Sequence, residues 1–379
     1  MSSEVVINGR FLSQRLTGVQ RYALETLRAL DGLLSDATLA RDFACTVVAP
    51  RGTPDPKLSH IGFTTFGPFS GHLWEQTSLV VASRGKLLLS FGPTGPLLRR
   101  RQIVTIHDAA VCAVPDAFSA SFRAWYKLLL PALVRRTPCV MTVSEFSRGE
   151  IVRWFGASAA RVRVSGEGVE HVRRTPSDPR VLAAHGLRSG RYLLAVSSLS
   201  PHKNFGVIAR ALSRLRSQDV DVAVAGAVDE AVFGRSDASA LSSLKLLGYV
   251  SDAELTALYE NAAAFVFPSL YEGFGLPPLE AMALGCPVIA ARAGAIPEVC
   301  GDAASYFEPH DAEQLASLSA RLVSSTEERD HWARKGLAHA QRHSWRVAAG
   351  NHLALLREVS GQEAASSREA ELSRHGACA

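Results

Sequence analysis

Short apolar runs alternate with longer amphipathic stretches along most of this chain, and that alternation predicts a parallel α/β protein. In the first half, Val5 to Ile7, Cys45 to Ala49, Ile103 to Ile106 and Val140 to Val143 read as strands. Val19 to Ala29, Phe122 to Val134 and Phe146 to Phe155 carry apolar residues at helical spacing. In the second half "YLLAVSS", "VDVAVAG", "AAFVF" and "PVIAA" read as strands, with helices starting near Asn204, Asp252, Pro278 and Asp311. The segment "RRTPSDPR", Arg173 to Arg180, reads as the linker between halves. The pattern therefore predicts one domain over residues 1–172 and a second over 187–344. It adds a helix at about 345–358 that packs back on the first domain, and a disordered tail at 360–379, too poor in apolar residues to pack.

One loop stands apart. In "SLYEGFGLPPLEAMALGCPVIA", Ser269 to Ala290, Pro277 and Pro278 fit only a loop end or the first turn of a helix, where a missing N–H does no harm. A helix thus begins near Pro278, stops at Gly285 and leads into the strand at Val288 and Ile289. Gly273 and Gly275 permit positive φ and close ligand approach, and the helix N-terminus favours an anion. Glu272 stands at the strand end and Glu280 in the first helical turn, two acceptors around one phosphate-sized hole. That suits a ligand with phosphate and hydroxyl groups, although a first-turn glutamate also simply complements the helix dipole.

Other strand-to-helix junctions carry candidate chemistry. Gly18 precedes a helix, as a turn glycine or as a place where backbone approaches phosphate. His107 and Asp108 end an apolar strand, where an imidazole is either packed or able to orient a hydroxyl. Lys203 sits at a helix entrance capped by Asn204, good placement for a charge on a diphosphate. Tyr249 and Val250 occupy a loop before another helix.

Composition narrows the class. No apolar run reaches 18 residues and the opening "MSSEVVINGR" lacks a signal peptide's apolar stretch, so a cytoplasmic protein is expected. The six cysteines are scattered without a C-x-x-C pair, which points to neither a zinc site nor a disulfide framework. Residues 1–175 hold 22 Lys and Arg against 13 Asp and Glu, and the remainder 19 against 23. The basic first half fits an acidic partner such as a phospholipid surface, or only a solvated face. Within it, Ser119 to Arg136 combines Trp125, Tyr126, Arg123, Lys127, Arg135 and Arg136, with "RRR" at Arg99 to Arg101 nearby. Such a helix can lie on the inner face of an anionic membrane, or Leu128 to Leu130 can pack under the sheet. The "DVD" of Asp219 to Asp221 opens a strand without a His, Asp or Glu cluster beside it, so no metal is expected.

Taken in order, "GVQRY", "TIHD", "VSEFS", "HKN" and "EGFGLPPLE" with the following "AMALGCPVIAARAGAIPEV" resemble retaining glycosyltransferase family 4, over Asn8 to about Trp345. The resemblance implies the GT-B fold, two Rossmann-like domains facing each other across a cleft, and a nucleotide-sugar donor with a saccharide or lipid-linked acceptor. It implies that Glu280 holds the nucleotide ribose, that Glu272 with His107 faces the reacting sugars, and that Lys203 with His202 holds the diphosphate. Gly18, Gly273, Phe274, Gly275 and Leu276 would line sugar and phosphates, and Tyr249 with Val250 the base. Ser197 stands where many members have an arginine. "GRFLSQRLTGVQRYA", "HLWEQ" and "TIHD" look most like bacterial polysaccharide transferases, mannosyltransferases above all, that use GDP-mannose or a related sugar. A UDP-sugar transferase, a GT-B epimerase and a non-catalytic nucleotide-sugar-binding subunit are the alternatives; no cofactor and no nucleic-acid partner are expected.

Overall fold

The computed structural model describes residues 3–197, 200–215, 220–226 and 244–376; Ser198, Asp219 and the last three residues lie outside them. Seven strands form the first sheet: β1 (Ser3–Asn8), β2 (Phe43–Ala49), β3 (Gly62–Thr65), β4 (Leu87–Ser90), β5 (Gln102–Thr105), β6 (Cys139–Thr142) and β7 (Val162–Val164). Their order is β3-β2-β1-β4-β5-β6-β7, every pair parallel. The second sheet contains β8 (Tyr192–Ser197), β9 (Asp221–Gly226), β10 (Leu244–Gly248), β11 (Ala264–Phe267), β12 (Val288–Ala291) and β13 (Ser305–Phe307). It runs β10-β9-β8-β11-β12-β13, again all parallel.

Helices cover both faces of each sheet, so central strands are buried throughout, as at β4, β5, β6, β11 and β12. The strands that the apolar pattern does not announce are β4 and the four sheet edges β3, β7, β10 and β13. Edge strands are short and half polar, as in the exposed Gly62–Thr65, and the three leucines of β4 carry as much helix as strand preference. Asp221, the last residue of "DVD", pairs with Lys245 on the neighbouring strand at 2.9 Å, which explains its charge without a metal.

The strand order reverses between β1 and β4 in one sheet and between β8 and β11 in the other. Crevices at such reversals, outside the carboxyl ends of the strands, are where open α/β sheets bind ligands. The last helix, Trp345–Gly376, returns to the first domain, where His352 Nε2 lies 2.7 Å from the Tyr22 hydroxyl and its ring packs edge-on against Phe91. It also runs through residues where the sequence predicts a disordered tail. Alanine, glutamate and arginine are strong helix formers even where no apolar face exists to pack.

Candidate active site

The strand ends of the two sheets face each other across a cleft of about 530 Å³. Arg10, His107 and Asp108 line it from the first domain, and His202, Lys203 and Glu272 from the second. Lys203 ends a short turn, Pro201–Lys203, the next described element after β8. Asn204 follows at φ 53°, and its amide donates to the carbonyls of Pro268 and Pro309 at 3.2 and 2.7 Å. It therefore staples neighbouring loops where the sequence predicts a helix cap. With the loops so joined, Lys203 Nζ meets Glu272 Oε1 at 2.6 Å.

The loop after β11 is shaped by its glycines in two different ways. Gly275 has φ 105°, so its freedom is conformational. Gly273 has no positive φ; a Cβ there would stand 2.5 Å from the His107 carbonyl oxygen and 2.9 Å from Asp108 Cβ. Its smallness admits the opposite domain rather than a turn. Ser144 and Ser147 of that domain donate to the Gly273 carbonyl at 2.5 and 2.9 Å. The helix begins at Leu276, because prolines are tolerated throughout a first turn, and Glu280 consequently sits in the second turn and not the first. Phe274 and Leu276 are buried in the core.

Glu280 accepts from His171 Nε2 at 2.8 Å, and the Trp345 indole donates to His171 Nδ1 at 3.1 Å. An indole N–H only donates, so the His171 proton is on Nε2 and the chain Trp345, His171, Glu280 has one direction. Glu280 and His171 line a small hollow with Arg21 and Tyr259. Across the cleft, His107 Nε2 lies 3.1 Å from the Phe91 carbonyl, which leaves Nδ1 with its lone pair. Burial pushes the His107 imidazole down to about 4, only partly opposed by that carbonyl, and the ring is neutral near pH 7. Burial also raises the Asp108 carboxyl, with the Glu272 charge adding to it and the Ala110 N–H opposing.

Gly18 opens the helix Gly18–Leu33 between Thr17 and Val19, both on the cleft wall, and a Cβ on it would meet nothing within 4 Å. Tyr249 is 74% exposed beneath the Arg15 guanidinium, and Val250 packs against the core. Neither lines the two hollows just described. Ser197 ends β8.

Two further glutamates take their roles only from the fold. Glu167, buried after β7, is pushed up to about 8 by burial and by the charges of Glu280 and Glu272. Its only sequence signal is a charge between two glycines, "GEG". Glu298 reaches across the domain boundary and accepts from the backbone N–H groups of Glu145 and Phe146, both at 2.8 Å, capping the helix Glu145–Phe155 from outside.

Comparisons with known proteins agree with this geometry. The family model "Glycosyl transferases group 1" matches residues 183–339. O-antigen chain mannosyltransferase B of Escherichia coli is 30% identical over 363 residues, 87% of this chain and 93% of that enzyme. The chain belongs to the group 1 glycosyltransferases. O-antigen chain mannosyltransferase RfbU of Salmonella typhimurium is 29% identical across 83% of this glycosyltransferase and 89% of its own length. Sucrose-phosphate synthase from Thermosynechococcus elongatus superposes with a TM-score of 0.71 at 18% identity, over 96% of this chain and all of that one, and the fold is GT-B. The family match covers Lys203, Glu272 and Glu280. Among the described residues of the glycosyltransferase, no group of three or more His, Cys, Asp or Glu could hold a metal ion, and no helix is long and apolar enough to cross a membrane.

Proposed function

We propose that this glycosyltransferase is a retaining mannosyltransferase that uses GDP-mannose, needs no metal, and extends a saccharide or lipid-linked saccharide in bacterial surface polysaccharide synthesis. The observation that carries this reading is the Lys203–Glu272 pair at 2.6 Å, set at the strand-order reversal and facing His107 across the cleft. The two relatives named above, both mannosyltransferases, support the choice of sugar. The second domain grips the nucleotide, with Glu280 on the ribose hydroxyls and Lys203 with His202 on the diphosphate. In the reaction the bond from sugar C1 to the phosphate oxygen breaks, and a bond from C1 to the acceptor oxygen forms on the same face. The acceptor's proton passes to the departing phosphate oxygen, so the products are nucleoside diphosphate and a glycoside of unchanged configuration. Lys203 and helix N-termini stabilise the charge that develops on the diphosphate. Glu272 binds and balances charge and forms no covalent intermediate. The Tyr249 and Val250 loop takes the base when the nucleotide is bound.

The test is a thermal-shift and hydrolysis screen against GDP-, UDP-, ADP- and dTDP-sugars, followed by the anomeric configuration of the product from proton NMR. Stabilisation by a UDP-sugar alone overturns the donor, an inverted product overturns retention, and activity lost to a chelator and restored by manganese overturns metal independence.

The reading extends to a membrane-bound acceptor. In the helix Ala120–Arg136, Leu129 and Leu130 pack into the core, but Leu128 is 66% exposed beside Lys127. Exposed Leu73 lies in the short helix Gly71–Gln76, just after exposed Phe69, and this helix touches Ala120–Arg136 through His72, whose ring lies 5.8 Å from that of Trp125. Exposed apolar groups next to basic ones suit an anionic bilayer, each basic residue contributing roughly 1 kcal/mol near the surface. Pelleting with phosphatidylglycerol vesicles that weakens as salt rises is the expected result; equal pelleting with neutral vesicles overturns it.

A further inference from the structure

The first-domain wall of the cleft holds a construction that neither the donor nor the reacting groups use. Phe118, Phe122 and Tyr126 form a column of stacked rings, with centroids 5.3 and 4.2 Å apart and planes 7° and 15° from parallel. All three line the cleft; Phe122 is the middle ring, 39% exposed along its edge, and the half-buried Phe118 and Tyr126 are the two ends of the column. Beside it stands Arg10. Its Nη2 donates to Thr94 Oγ1 at 2.8 Å, and its Nε lies 3.4 Å from Glu75 Oε1.

Glu75 is fully buried on the same wall, and its Oε1 also accepts from Asn8 at 2.7 Å and Thr94 at 3.0 Å. Its Oε2 has no hydrogen-bond partner; the His72 ring nitrogen stands 3.4 Å away without hydrogen-bonding geometry. Buried polar atoms are seldom left so, and a carboxylate buried at this depth persists by balancing a neighbouring cation. Burial opposes the Glu75 charge, but His72, Arg10, Asn8 and Thr94 together hold its carboxyl below the usual range.

Two consequences follow for what the wall can hold. The outer face of an end ring and the exposed edge of Phe122 offer dispersion contact to the C–H face of a sugar ring, the amphipathic lining expected of a small-molecule pocket. Arg10 has five N–H donors, more than Thr94 and Glu75 use, and these can donate to ring hydroxyls. Its charge, however, is balanced by Glu75, and Asp108 lies on the same cleft, so the wall has no surplus positive charge for a phosphate. We infer that Phe118, Phe122 and Tyr126, with Arg10 held by Glu75, form the subsite for the terminal sugar of the acceptor, an uncharged pyranose and not a phosphorylated one. This rests on the transferase reading and names the acceptor class within it. Glu75 is a positioning residue: it aims Arg10 and cancels its charge without touching the sugar.

The experiment separates this subsite from the donor reading because it needs no donor. Saturation-transfer NMR is run on the full chain with the methyl glycosides of mannose, glucose and galactose, and with mannose 6-phosphate. At least one methyl glycoside should show transfer to its ring protons, and mannose 6-phosphate should show none. In Phe122→Ala, whose side chain is partly exposed and safe to truncate, that transfer should fall at least fivefold while GDP affinity stays within twofold. In Glu75→Gln the balance of charge is lost, and mannose 6-phosphate should now bind at low salt; a merely structural glutamate would not change the preference between neutral and charged sugars. Steady-state assays with the nucleotide sugar chosen by the screen should show the acceptor KM of Phe122→Ala raised about tenfold. Equal transfer to mannose 6-phosphate in the unaltered protein overturns the inference, as does an unchanged signal in Phe122→Ala. A failure of GDP to bind counts against the donor reading alone.

Discussion

The two walls of the cleft are built on nearly the same frame and reach their chemistry by opposite routes. Both sheets reverse strand order beside their first strand, and both present loops at that crevice. On the second-domain wall, Glu272 is joined to Lys203 by the Asn204 staple, and the helix after its loop carries Glu280 to the separate small hollow, so the two glutamates do not flank one hole as the sequence suggests. The first-domain wall is assembled from Arg10, Glu75, Thr94, His107 and Phe122, residues from five separate stretches of chain. A wall made by one local unit keeps its geometry through short-range bonds. A wall made from dispersed residues depends on the packing of the whole domain and on a buried charge network. On the function proposed above, the local unit takes the nucleotide diphosphate and the dispersed wall takes the acceptor.

That contrast can be broken at several points. The largest effect is expected from Lys203→Ala, which removes the diphosphate cation and leaves Glu272 unbalanced. Turnover should fall about 10²- to 10³-fold, the scale of losing one preorganised electrostatic group, in a steady-state assay. A fall below tenfold would move the charge stabilisation elsewhere. Next is Glu280→Ala: a lost charged hydrogen bond of about 1.5–3 kcal/mol should weaken nucleoside diphosphate binding roughly ten- to a hundredfold by calorimetry. Glu272→Ala, by contrast, should lower turnover more than nucleotide affinity.

Gly273→Ala tests the contact between the walls. Its Cβ would meet the His107 carbonyl at 2.5 Å, so the domains must part. Overpacking of this kind costs about 1–3 kcal/mol, and scattering should report a larger radius of gyration together with lower turnover. Glu167 gives a pH signature. Its carboxyl, held near 8, keeps in the folded chain a proton that the unfolded chain has released above its ordinary carboxylate range. Stability should therefore fall as pH rises from about 5 to 8, with a slope of at most about 1.4 kcal/mol per unit. Thermal melts of Glu167→Gln should lose that part of the slope. The smallest effect belongs to Glu298→Ala, which uncaps the helix Glu145–Phe155 and should weaken closure by roughly 0.5–2 kcal/mol, read as a severalfold rise in donor KM.

The same contrast explains what the chain reveals before folding. The β11 loop is legible because glycine, proline and glutamate fall within nine residues, and each type has its own backbone meaning. Lys203 and His107 are legible as polar residues at the ends of apolar strands. Arg10 and Glu75 look like ordinary surface charges, since only the fold brings them to 3.4 Å. Glu298 is visible as part of a motif, yet its partners, two backbone N–H groups of the other domain, leave no trace in composition. Gly273 is visible as a glycine for the wrong reason: the sequence suggests a turn, and the structure shows a neighbour occupying the place of a side chain. The central strands other than β4 follow from their apolar runs, whereas the four edges do not, because they are short and broken by polar residues or glycine.

The returning C-terminal helix has a consequence for how the molecule is made. Tyr22 and Phe91, both fully buried, have His352 as a partner, so the first domain to leave the ribosome lacks a piece of its own interior until almost the whole chain exists. Until the last helix is made, an apolar flank of that domain is uncovered, while the second domain already has β13 and its following helices. The last helix is thus the step that finishes both the first domain and the Trp345–His171–Glu280 chain.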